Sequence, residues 1–302
     1  METVKRVLVS DPLSNQGLEI LAKAKALKVD IQTGLSSDAL KKTISEYEGI
    51  IIRSETQLTS EIIESADRLE VIGRAGIGVD NVDLAAATKK GIVVMNTPQE
   101  NAIAAAEHTI GMMLSVARRI PQATASMKGG KWEKKRFLGV ELYDKVLGIV
   151  GIGVVGTIVA DRAMAFKMRI MAYDPYISRE AAEKKGINLV TLDELLERSD
   201  FISIHTPLTA ETRNLIDRKA FGKVKKGMIL VNCARGGIIN EKDLHEAIRE
   251  GRVAGAALDV FEKEPAIGNP LLELDEVDNP LLDRIGSTTC RANQSRSFLA
   301  ET

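Results

Sequence analysis

Histidine is scarce in this chain: His108, His205 and His245 are the three in 302 residues. A protein that moves protons with imidazole near neutral pH has few candidates here. Cysteine is scarcer. Cys233 and Cys290 stand far apart and outside any metal-ligand spacing, which argues against a disulfide framework and predicts no metal site. Charge of one sign is lacking as well. Forty-one basic against 42 acidic side chains leave no field to hold a nucleic acid or an anionic membrane. Long apolar runs are also missing: the opening METVKRVLVSDP is too short for a signal peptide, and no window approaches a membrane span. What remains is 44% hydrophobic and 27% charged, as in soluble globular proteins, and long enough for two domains. A cytoplasmic enzyme or binding protein is expected.

Short β-branched runs (RVLVS, LKVDIQ, GIIIR, EVIGRAG, IVVMN) alternate with stretches of helical periodicity such as SSDALKKTISEY. Strand followed by helix, repeated, predicts parallel sheets built from βαβ units. NAIAAAEHTIGMMLSVARR (101–119) interrupts the rhythm as a longer apolar-rich helix, suited to an inter-domain or inter-subunit role. A second alternating series follows: KVLGIVG, RIMAYD, FISIH, GMILVNCA, VAGAALDV. The expected fold class is α/β, with two doubly wound parallel-sheet domains of Rossmann or flavodoxin-like type. NPLL occurs twice near the end, from Asn269 and Asn279, and the duplication carries no functional reading.

KVLGIVGIGVVG places Gly151, Gly153 and Gly156 in the pattern G-x-G-x-x-G between a strand and an apolar helix. The first glycine permits a tight turn, the second lets a pyrophosphate approach the backbone, and the third lets helix pack on strand. The helix N-terminus then offers free N–H groups to the phosphates. The next strand ends in Asp174, 18 residues after Gly156, where a carboxylate accepts ribose hydroxyls and repels a 2′-phosphate. NAD is the expected cofactor.

Five segments then coincide: GRAGIGVDNVDLAAATKKGIVVMNTP (73–98), GIGVVG with YDP, HTPLTAETRNLI (205–216), VNCARGGIINEKDL (231–244) and AALDVFEKEP (256–265). In this order the chain resembles the D-isomer-specific 2-hydroxyacid dehydrogenases, from about residue 5 to residue 265. The resemblance implies a discontinuous substrate domain, 1–98 plus 285–302, around an NAD-binding domain at 99–284, with substrate and NAD meeting between them. It implies that Arg235 grips the substrate's carboxylate and carbonyl, for which a two-pronged guanidinium is suited. Glu264 would be the acidic partner of a histidine. Arg53, Ser54, Arg74, Ala75 and Gly76 match the substrate-anion site, and two arginines suit a substrate bearing both carboxylate and phosphate. Besides the glycine loop with Val154 and Val155, the resemblance makes Ile77, Asp174, Pro175, His205, Thr206, Pro207, Thr212, Cys233, Ala234, Arg235, Asp259 and Gly286 cofactor-lining. His205 reads as a wall of that site, His108 as a core or interface residue, and His245 as a helix-surface residue. The family usually dimerises through the cofactor domain, so a homodimer using the 101–119 helix is expected.

Two departures stand out. Val154 replaces an arginine common in the family, so one side-chain contact to the pyrophosphate is lost. More seriously, aligning RIGSTT (284–289) with the family's H-I-G-A-S-T puts Arg284 where the acid/base histidine belongs. A guanidinium keeps its proton at physiological pH and cannot act as a base, whereas a poised histidine contributes roughly 10²–10⁴-fold. Three readings stay open: a dehydrogenase of a phosphorylated or smaller 2-hydroxy acid (glycerate, glyoxylate or hydroxypyruvate) that recruits another group; an impaired product; and a non-catalytic NAD-binding regulator. No appended regulatory domain follows the core in this sequence, so feedback through one is not expected.

Overall fold

A computed structural model describes residues 4–76, 78–97 and 101–278. Ile77, Arg284 and Gly286 therefore lie outside the described residues, as do the second NPLL copy and the proposed return of the final segment to the first domain. The described chain forms two compact units, one within 1–101 and one within 102–288.

The first unit holds strands β1 (Lys5–Val9), β2 (Leu27–Ile31), β3 (Gly49–Ile52), β4 (Val71–Arg74) and β5 (Val93–Asn96). They lie in the order β2-β1-β3-β4-β5, every pair parallel, which is the flavodoxin-like winding. β3 reads GIII and is buried at every position, as a strand covered on both faces must be. Leu8, Ile50, Ile52 and Ile72 point to one core with Leu40, Ile44 and Ile63, while Val7, Val9 and Ile51 point to the other. The helix Leu84–Lys90 is opened by the Asp83 carboxylate, which accepts from the Ala86 N–H, and closed by left-handed Gly91.

The second unit holds β6 (Val146–Val150), β7 (Arg169–Tyr173), β8 (Asn188–Leu189), β9 (Phe201–Ile204), β10 (Met228–Asn232), β11 (Val253–Leu258) and β12 (Val277–Asp278). Their order is β12-β11-β10-β9-β6-β7-β8, again all parallel. This is the Rossmann winding, which reverses direction between β6 and β9, where the two halves of the sheet diverge. Alternate residues serve opposite layers. Leu147, Ile149, Phe201, Ile229 and Val231 pack against the long helix Ala102–Arg118 and the helix Val154–Ala165. Val150, Ile202, Ile204 and Leu230 pack on the other side with Leu195, Phe221 and Leu244. The long helix is thus a core element, with Ala106, Thr109 and Met113 fully buried. Its Ser115 hydroxyl donates to buried Asp278 at 2.8 Å, tying the helix to the far edge strand. The first NPLL copy forms a single 3-10 turn, Pro270–Glu273, capped by Asn269 and anchored by buried Leu271.

Candidate functional site

Each glycine of the loop after β6 has its own geometric reason. Gly151 has φ +91°, and a side chain there would meet Thr206 Cγ2 at 2.7 Å and the His205 carbonyl at 2.8 Å. Gly156 lies so close to the loop that a Cβ would sit 2.1 Å from the Gly151 carbonyl. Gly153 is the opposite case: a Cβ there meets nothing within 4 Å. Gly153 is also the N-cap of the helix Val154–Ala165 and supplies no side-chain cap to the first-turn N–H groups. Val154, in that first turn, is 47% exposed at the lip of the loop. Val155 turns inward against the core.

Asp174 follows β7, and its carboxylate accepts from the Ile152 N–H at 3.0 Å and the Tyr176 N–H at 2.9 Å. The acid therefore braces the glycine loop before any ligand reaches it, with Pro175 in the bend it spans. On the neighbouring strand end, the Thr206 hydroxyl is buried without a hydrogen-bond partner among the described residues. An orphaned hydroxyl beside Gly151, an open approach at Gly153 and a braced carboxylate together fit a dinucleotide. The Thr212 hydroxyl donates to the Pro207 carbonyl at 2.7 Å and accepts from the Thr209 N–H, which shapes its loop.

His205 follows β9, and its Nε2 lies 2.8 Å from the Ser203 hydroxyl. Burial of the ring pushes its pKa down to about 4, although the residue as a whole remains partly exposed. It is neutral at physiological pH. His245 sits on the amphipathic helix Glu241–Arg249, half-buried. His108 is the surprise. Its Nε2 lies 3.2 Å from Asp259 Oδ1, joining the long helix to the end of β11. The carboxylate raises the imidazole's pKa above its ordinary value, outweighing the burial that lowers it. Cys233, at the end of β10, is the reverse: burial, aided by the charge of Asp259, pushes its thiol up to about 12, so it stays protonated.

Arg235 lies in a turn organised by a residue the motif reading passed over. Buried Asn232 donates from Nδ2 to the Arg235 carbonyl at 2.9 Å and accepts at Oδ1 from the Ala234 N–H at 3.1 Å. Its own carbonyl accepts from the Asp259 N–H at 3.0 Å. One asparagine thus sets the turn and its spacing from the next strand end. An Asn closing an apolar strand before A-R-G-G is the signal that could have found it, since Asx side chains organise turns of this size. Gly236 then brings a second loop in: a Cβ would lie 1.8 Å from the Phe261 carbonyl oxygen. That loop carries Glu264, whose Oε1 accepts from the Phe261 N–H at 3.0 Å. The structure therefore brings the Arg235 turn and the Glu264 loop together at the carboxyl edge of the sheet, where α/β ligands bind.

In the first unit, Arg53 follows β3 and Arg74 ends β4, and Ile52 and Arg74 are register partners. The two arginines stand at the carboxyl ends of adjacent parallel strands. The Arg53 turn is held by buried Asp11, which accepts from the Thr56 N–H, and by Asn81, whose Nδ2 donates to the Arg53 and Thr56 carbonyls at 2.7 Å. Ser54 is exposed on this turn and Ala75 is buried. Gly76 leaves room for the Arg74 guanidinium, which a Cβ would strike at 1.5 Å. Among the described residues no group of three His, Cys, Asp or Glu could hold a metal, and no helix is long and apolar enough to cross a membrane.

The second unit, with its glycine loop, braced acid and Rossmann winding, is an NAD-binding domain of the dehydrogenase class. Residues 110–278 match the NAD-binding domain of the D-isomer specific 2-hydroxyacid dehydrogenases, and the chain belongs to that family. It is 51% identical over 273 residues to the D-3-phosphoglycerate dehydrogenase of Methanocaldococcus jannaschii, covering 90% of this chain and 52% of that protein. It thus spans about half the length of such relatives. Among solved structures, the D-lactate dehydrogenase of Aquifex aeolicus, in complex with NAD and lactic acid, superposes with a TM-score of 0.82 at 29% identity, covering 94% and 92% of the two chains. A glyoxylate reductase from Paecilomyes thermophila superposes with a TM-score of 0.87 at 28% identity, covering 97% and 92%.

Proposed function

We propose that the protein is an NAD-dependent D-3-phosphoglycerate dehydrogenase of the cytoplasm, oxidising 3-phosphoglycerate to 3-phosphohydroxypyruvate at the entry to serine biosynthesis. The observation that carries the phosphorylated substrate is the pair Arg53 and Arg74 on adjacent strand ends, two cations that suit a substrate bearing a phosphate as well as a carboxylate. Relatives bearing this activity at 51% identity support the same reading.

Bound NAD supplies a hydride acceptor. The chain's residues do the rest. Gly151, Gly153 and the first turn of the helix after them take the pyrophosphate, and Asp174 takes the ribose hydroxyls. The guanidinium of Arg235 grips the carboxylate and the reacting oxygen, holding the C2 carbon at a fixed approach. Glu264, bonded to the Phe261 N–H, is the carboxylate available to steady a proton-transferring partner. That partner is a histidine in the family pattern, and Arg284 stands there in this sequence.

The rate is therefore expected to be low. Steady-state turnover of 3-phosphoglycerate and glycerate with NAD, beside Arg284→His, tests both parts. The histidine should raise kcat about 10²-fold or more, and 3-phosphoglycerate should be preferred. A wild type as fast as the histidine variant would remove the impairment, and a preference for glycerate would remove the substrate.

Association as a homodimer belongs to the same reading. Behind the long helix, Ile120, Met127, Trp132 and Leu138 expose large apolar surface, Trp132 at 71% and Leu138 at 77%. Light scattering on the full chain should give twice the monomer mass, and Trp132→Glu with Leu138→Glu should halve it.

A further inference from the structure

We propose that His108 is a positioning residue for the cofactor: clamped on one oxygen of Asp259, it orients that carboxylate so that the other oxygen serves the bound dinucleotide. The inference rests on reading Asp259 as cofactor-lining, and extends it to a residue on a different element.

Geometry is the ground for it. Asp259 leaves β11 at the carboxyl edge of the second sheet, with its backbone N–H fixed 3.0 Å from the Asn232 carbonyl. Its Oδ1 faces His108 Nε2 at 3.2 Å, an ion-pair contact without hydrogen-bond alignment in which Asp259 is the nearest acid to this buried nitrogen, and its Oδ2 has no hydrogen bond among the described residues. Both side chains are partly exposed, 35% and 25%, so the pair lies at the rim of the sheet rather than in its core. A carboxylate on a strand end has free rotation about its side-chain bonds unless something holds it. Here the holding group arrives from the long helix, which the packing of Ala106, Thr109 and Met113 makes rigid.

The groups around His108 leave Asp259 as its electrostatic partner. Cys233, from β10, is protonated and neutral. Glu107, its chain neighbour, pairs with Arg162 of the helix Val154–Ala165 at 3.3 Å. Asp278, from β12, is occupied by Ser115 and Gln122. Protonated His108 therefore holds ionised Asp259, and the raised pKa of the imidazole keeps that state populated to higher pH than a free histidine would. As pH rises through that pKa the clamp weakens. By linkage, a cofactor that prefers the clamped carboxylate must in turn raise the pKa of His108 when it binds.

A purely structural tie between helix and strand makes no such demand, which allows a test. In the ¹⁵N-labelled full chain, the imidazole shifts of His108 report its pKa without and with saturating NADH, and calorimetry gives the NADH affinity from pH 6 to 9. The pKa should lie above 6.5 and rise further with NADH, while affinity falls as pH climbs through it. His108→Gln should weaken NADH binding roughly fivefold or more and flatten that pH dependence. A His108 pKa unmoved by NADH, or a glutamine variant with wild-type affinity and pH profile, would overturn the proposal. Should the variant fold poorly, the wild-type titration decides alone. NADH that does not bind the wild type at all would overturn the cofactor reading and this one with it, whereas binding indifferent to His108 overturns this one only.

Discussion

The three loop glycines separate what the fold needs from what the ligand needs, and alanine substitutions measure the difference. In Gly156→Ala the new methyl would lie 2.1 Å from the Gly151 carbonyl oxygen, over an ångström inside van der Waals contact. Both atoms are on backbone, so helix and loop must part. Overpacking of this kind costs about 1–3 kcal/mol, occasionally more. At about 2–4 °C per kcal/mol for a domain of this size, that is a fall in Tm of roughly 2–12 °C. Gly151→Ala adds a left-handed backbone at φ +91° to contacts of 2.7 and 2.8 Å and should be at least as damaging. Gly153→Ala meets nothing within 4 Å, and φ there is −64°, so its stability should change by about 0.5 kcal/mol or less. Its methyl nonetheless stands where a pyrophosphate would approach the helix N-terminus, and NADH affinity should fall about tenfold or more, or about 1.4 kcal/mol. Thermal melts and NADH calorimetry on the three variants give six numbers. The reasoning fails if Gly153→Ala melts early while Gly156→Ala does not, or if Gly153→Ala binds NADH as the wild type does.

Other perturbations address the remaining parts. Gly236→Ala would force the Arg235 turn away from the Phe261 carbonyl, and should cut kcat/KM about 10²-fold through misplacement, as steady-state kinetics will show. Asp174→Asn keeps an acceptor for the Ile152 N–H but removes the charge, so the ratio of NADH to NADPH affinity should shift toward NADPH by about tenfold; an unchanged ratio would exclude the acid as the discriminator. His205 gives a pH prediction with a definite sign. Its folded pKa, about 4, lies below the unfolded value of about 6.5, so between these the unfolded chain binds a proton that the folded chain refuses. Stability should fall by about 2–3 kcal/mol as pH drops from 6.5 to 4, and His205→Asn should remove most of that fall in pH-dependent melts.

The sequence by itself determined the local matters. Continuous apolar runs such as GIII and MILVN suit strands covered on both faces, and glycine spacing between a strand and an apolar helix, with an acid ending the next strand, marks a dinucleotide turn. Those signals are short-range, carried by residues within one βα unit. Asp174 belongs to the same βα unit, while the roles expected of Arg235 and Glu264 came from the family resemblance of the segments that carry them. The tertiary structure decided what depends on distant elements. His108 and Asp259 are separated by 151 residues, and no periodicity in the helix AIAAAEHTIGMMLSVAR announces that its histidine meets a strand end. Asn232 closes β10, and its amide also holds the Arg235 turn. At Gly236 the Phe261 carbonyl oxygen would lie 1.8 Å from a Cβ, which makes the glycine a packing requirement. In each case the constraint is a close approach between two chain segments. A linear pattern holds the identity of the residue but not the neighbour that makes that identity necessary.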